Sequence, residues 1–108
     1  MTVYPKALAL ARTAKGKLPE DPRVADTHAL ALLENGLYQS AINELTEATR
    51  KMPQHPTVLY HLGLAHWKNG DEERALEALN KALKSTVDFP EKQKAAKLLE
   101  EVEAPDRK

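Results

Sequence analysis

A repeated block constrains this chain more than any other feature. Pro22 stands 34 positions before Pro56, and Asn35-Gly36 stands 34 before Asn69-Gly70. A period of that length is the spacing of stacked helix–turn–helix units, each unable to bury its apolar face alone. Asp21 is suited to cap a helix with Pro22 in its first turn, where the missing N–H costs nothing. Val24, Ala25, Ala29 and Leu32 then recur at helical spacing, and Gly36 supplies a left-handed stop. A partner helix from about Tyr38 to Lys51 carries Ala41, Leu45 and Ala48 and ends before Pro53. The next unit repeats the order. Pro56, Leu59, Leu62, Gly63 and His66 lead to Asn69-Gly70, and Asp71 caps a helix that buries Ala75, Leu79 and Ala82.

The two ends depart from this pattern. Residues 5–16, with Ala7, Leu8, Ala11 and Ala14, read as the second helix of a repeat whose first helix is missing, so the chain is expected to begin mid-repeat. After Ala82 the stretch Ser85 to Pro90 is longer than the Lys51-Met52-Pro53 turn. Helical spacing resumes with Ala95, Ala96, Leu99 and Val102, beside a face of lysine and glutamate. A terminal helix needs such a polar outer side because nothing stacks beyond it. The chain therefore reads as one domain over 1–108: a helix at 5–16, repeats at 22–53 and 56–85, and a capping helix at 90–103.

Composition narrows the function. Sixteen basic and sixteen acidic residues cancel, which argues against nucleic acid or an anionic membrane as partner. Without cysteine there is no disulfide or zinc–thiolate chemistry. The apolar runs Ala7 to Ala11 and Ala29 to Leu33 are far shorter than a membrane span, and Met1 to Tyr4 do not open a signal peptide. The compartment stays open.

Four histidines invite a metal or acid/base reading. His61 and His66 are five apart, hence about 140° around a helix, and cannot chelate from one face. His55 lies in a turn, and His28 belongs to another helix; His28 and His66 are expected to be half-buried structural residues. No carboxylate pair converges with a nucleophile, and the glycines form no phosphate loop. No enzyme, metal or cofactor is expected.

The positions Leu62-Gly63, Ala75, Leu79 and Ala82, with Ala29, Leu32, Ala41, Leu45, Ala48 and Pro53 a unit earlier, resemble the tetratricopeptide repeat. His28 and His66 stand where that family usually has Leu and Tyr. The resemblance implies an all-α, right-handed solenoid of antiparallel helix pairs, about two and a half repeats plus the cap, acting as a protein–protein interaction module. It also implies a concave groove lined by the first helices. The groove positions are Arg23, Asp26, Leu30, Leu33 and Glu34, then Thr57, Tyr60, His61, Leu64, Trp67 and Lys68. A Lys–Asn carboxylate clamp is absent from them, which favours an apolar ligand. A finer likeness, carried by Ala25-Asp26-Thr27, Tyr60-His61-Leu62-Gly63 and Asp88-Phe89-Pro90-Glu91, is to the C-terminal repeats of larger bacterial proteins of exopolysaccharide and PEP-CTERM protein-sorting systems. It implies a fragment of a longer, envelope-associated protein.

Spacing agrees with a groove, since Tyr60, Leu64 and Trp67 fall at i, i+4 and i+7, away from the Leu59, Leu62 and His66 stripe. The alternative is that Leu64 and Trp67 pack against a neighbouring unit or the capping helix. The principal expectation is a non-catalytic adaptor that binds a protein or peptide. A second is self-assembly, as a homodimer that covers Ala7, Leu8 and Leu10 on the unpaired first segment.

Overall fold

The computed structural model describes residues 5–104 as six α-helices. They are α1 (Pro5–Lys17), α2 (Pro22–Glu34), α3 (Tyr38–Lys51), α4 (Pro56–Lys68), α5 (Glu72–Leu83) and α6 (Lys92–Glu103). No strand occurs among the described residues.

Local chemistry sets most of the boundaries. The Asp21 carboxylate accepts from the Arg23 N–H at 2.9 Å, with Pro22 in the first turn of α2. Asp71 does the same for α5 through the Arg74 N–H at 3.1 Å. The cap of α4 is less usual: His55 Nδ1 faces the Val58 N–H at 3.5 Å, ahead of Pro56. At the far ends, Gly36 (φ 78°) and Gly70 (φ 86°) take the left-handed conformation that a side chain would strain. Each closes its helix with the same pair of bonds, Leu37 N–H to Leu32 O and Gly36 N–H to Leu33 O, then Asp71 N–H to His66 O and Gly70 N–H to Trp67 O. That pair satisfies carbonyls a helix end otherwise leaves open. Gly16 does not act as a stop; α1 runs through it to Lys17.

Each helix packs on the next in sequence, so the chain builds a row of antiparallel pairs. A second tier of contacts decides the curvature. α4 touches both α2 and α6, whereas among the described residues α3 approaches neither α1 nor α5. The first helices thus form the close inner layer and the second helices splay outward. Small residues permit the pairing. Ala29, Ala41, Ala75 and Ala82 are wholly buried, and a Cβ at Gly63 would lie 2.8 Å from Leu79 Cγ, so α4 and α5 meet without room for a methyl group. Leu45 and Leu79 fill the gaps between helices.

The last helix buries Ala95, Leu98 and Val102, while Ala96 is exposed and Leu99 only partly covered. The expected stripe included Ala96 and Leu99. Adjacent apolar residues at 95–96 and 98–99 allow two helical faces, and α4 and α5 select the one that begins at Ala95. Phe89, in the preceding loop, is buried with it.

Candidate functional site

The inner layer is α2, α4 and α6, and the eleven groove residues divide there by burial. Arg23, Glu34 and Lys68 are exposed. Leu30 and Leu64 are partly covered and rest on the core between α2 and α4. Leu33, Tyr60 and His61 are buried, which differs from an open groove lining. Tyr60 and Trp67 belong instead to the cluster that α4 builds with Phe89, Ala95, Leu98 and Val102. Packing of α6 onto α4 covers Tyr60 and part of Trp67, so the stripe that the spacing alone left facing outward is open only in part.

The polar candidates hold the inner layer in register. His61 Nδ1 lies 2.8 Å from Asp26 Oδ1, joining α4 to α2. The Thr57 hydroxyl donates to Glu91 Oε1 at 2.8 Å, joining α4 to the start of α6. The partners are 35 and 34 residues apart, so one repeat length separates the two ends of each bridge. Burial, with the nearby Glu91 carboxylate adding to it, raises the Tyr60 hydroxyl above its ordinary pKa, so it stays protonated at neutral pH. His28, expected to be half-buried, is buried, with Nδ1 at 2.6 Å from Glu44 Oε2 of α3. That approach is close without being aligned as a hydrogen bond, and it ties the two helices of one repeat. Groups already paired in this way act in the framework and contribute little free chemistry to a ligand.

Splaying of the second helices opens a groove of about 420 Å³ on the outer side, which sequence reasoning missed. Gln39, Ile42, Thr46 and Thr49 of α3 form one wall, Arg74, Glu77 and Lys81 of α5 the other, and Leu59, Leu62 and His66 of α4 the floor. The wall residues of α3 recur at i, i+3, i+7 and i+10, so a single uncharged helix face was legible as the signal. Desolvation there lowers the His66 pKa, while Asp71 opposes it, and the imidazole stays neutral at pH 7.

The residues proposed for self-association are also redistributed. Leu8 is 8% exposed and sits in the core with Ala11, because α2 packs over that side of α1. Ala7 and Leu10 are exposed. The expected homodimer needed Leu8 uncovered, and that ground is gone.

No group of three or more His, Asp or Glu side chains among the described residues could hold a metal ion. Nor is any of their helices long and apolar enough to cross a membrane.

One family model, described as tetratricopeptide repeat, matches residues 27–91, in keeping with helix pairs at a period of 34, an inner layer of first helices and a glycine packed against Leu79 where α4 meets α5. The chain belongs to the tetratricopeptide repeat family. The match covers both complete helix pairs apart from residues 22–26 of α2, and ends at Glu91, just before α6. No curated protein matches the chain, so the finer likeness to bacterial sorting-system proteins gains nothing. Tetratricopeptide repeats serve in general as non-enzymatic protein-interaction and scaffold modules.

Proposed function

We propose that this tetratricopeptide repeat chain binds a protein or peptide partner across the α2–α4 inner face, without catalysing a reaction. The observation that carries the reading is a short strip of side chains that packing covers only in part. Leu30, Leu64 and Trp67 remain partly open on the inner layer, while exposed Arg23, Glu34 and Lys68 surround them with charges of both signs. A short apolar strip with a mixed polar rim suits an extended or helical peptide that places two apolar side chains and a few polar groups. The shape favours a modest contact. With Tyr60 and His61 committed to packing and to Asp26, aromatic anchoring falls to Trp67 alone.

A library of displayed peptides panned against the purified chain tests this, with Trp67 fluorescence as the readout for selected sequences. Selected peptides should lose affinity when Lys68→Glu and Glu34→Lys are combined, because both residues are exposed and reverse the charge of the rim. Thr46→Ala, on the outer side, should leave binding intact. Peptides that ignore the first change and respond to the second would move the site to the outer groove and defeat the proposal.

A further inference from the structure

Two features outside the inner face complement each other. The α3–α4 turn and the α5–α6 loop stand side by side and enclose a cleft of about 550 Å³. Met52, Pro53, Pro56, Val87, Phe89 and Pro90 make its walls, and the prolines have no N–H to offer a polar ligand. Among the described residues, Asp88 is the one carboxylate in the lining, and no lysine or arginine joins it. Val87 is 62% exposed, so an apolar wall of the cleft stands open to water.

The second feature is α1. It carries Lys6, Arg12, Lys15 and Lys17 and no acidic residue. Since the whole chain is neutral, 16 carboxylates face only 12 cations outside this helix. Leu8 and Ala11 point into the core, so Lys6, Leu10, Thr13 and Lys17 share the opposite face at i, i+4, i+7 and i+11. Leu10 is 71% exposed, and Lys6, Arg12 and Lys17 form no ion pair among the described residues. An exposed leucine among unpaired cations is the chemical counterpart of an apolar cleft edged by a carboxylate.

We propose that the cleft of one copy receives the α1 face of a second copy, with Leu10 seated against Val87 and the prolines and the flanking lysines turned toward Asp88. Donor and acceptor are different surfaces, so the contact is heterologous: each copy in a pair keeps one free helix and one free cleft, and association is open-ended. The apolar contact supplies attraction and the charges supply orientation, which salt weakens. None of Leu10, Val87 or Asp88 belongs to the α2–α4 face, so this contact stands or falls independently of peptide binding there.

Sedimentation velocity over a concentration series, at low and high salt, tests it with Leu10→Glu, Val87→Lys and a mixture of the two. The parent chain should gain mass steadily with concentration, and less so in high salt. Each variant alone should remain a monomer, since each lacks one half of every contact. The equimolar mixture should return a discrete dimer, because Leu10→Glu keeps an intact cleft and Val87→Lys keeps an intact α1. All the altered side chains are exposed, and Asp88→Lys is a second cleft variant that should behave as Val87→Lys does. A parent chain that is monomeric throughout, or stops at a closed dimer, overturns the proposal. So does a mixture that stays monomeric, or a Leu10→Glu chain that associates like the parent.

Discussion

Gly63→Ala adds one methyl group where α4 meets α5. On the existing backbone its carbon would lie 2.8 Å from Leu79 Cγ and 2.9 Å from Leu79 Cδ2. Carbon atoms in good contact are about 3.5–4.0 Å apart, so the shortfall is about 0.7 Å at the nearer atom. Leu79 cannot relieve it easily. Cγ is the branch point of the side chain rather than its free end, and the residue has no exposure to rotate into. Overpacking of this kind costs about 1–3 kcal/mol, and the better helix propensity of alanine returns about 1 kcal/mol. With Leu79 unable to move aside, the upper part of that range applies, about 2–3 kcal/mol, and the net expectation is a loss of about 1–2 kcal/mol, or a fall in Tm of roughly 5–15 °C for a domain of this size. Urea and thermal melts followed by far-UV circular dichroism measure it. Leu79→Ala alone should cost about 2–5 kcal/mol. The double variant should cost at least about 1 kcal/mol less than the two singles together, because alanine at 79 makes room for alanine at 63. A Gly63→Ala chain as stable as its parent, or strict additivity in the double variant, would refute the claim that this crossing has no slack.

Three further outcomes are expected. Removing the α5 cap with Asp71→Ala should lower the urea midpoint without changing the slope; the Arg74 N–H holds this carboxyl below its usual pKa, so its contribution is present above about pH 4 and lost as pH falls through the folded value. Burial lowers the His66 pKa, so the unfolded chain takes up the proton first: stability is full above about pH 6.5 and declines below it toward the folded value, and His66→Tyr should show a smaller drop in urea midpoint between pH 7.5 and 5.5 than the parent. His61→Ala should strand the half-buried Asp26 carboxylate and cost about 1–3 kcal/mol, while Asp26→Ala combined with it should cost less than the sum of the two.

Punctuation in this chain was legible because it acts over a few residues. Asp21, Pro22, Gly36, Pro56, Gly70 and Asp71 stop and start helices through their own dihedral limits and hydrogen bonds, and they do so where the repeat puts them. Gly63 was readable as a close-approach position because a side chain there would meet Leu79, and Ala82 as a small residue wholly buried between paired helices. The candidate site was harder to read. Tyr60, Leu64 and Trp67 lie on one face of α4, but a helical face says nothing about which neighbour covers it. His61 looks like a polar groove residue until Asp26, 35 residues earlier, is set beside it. Leu8 and Leu10 differ by only two positions, yet one is core and the other surface, a choice made by the side on which α2 lies.

From sequence alone came the repeat, the helices and the buried small residues, all consequences of short-range chemistry multiplied by a 34-residue period. Tertiary packing decided the rest. The long loop before α6 lets Phe89, Ala95 and Leu98 fold back over α4 and cover Tyr60 and part of Trp67. The same stacking draws first helices together, splays second helices apart, and leaves two loops 34 residues apart enclosing an apolar cleft. Such surfaces belong to pairs of distant segments, and no single stretch of chain contains the information that creates them.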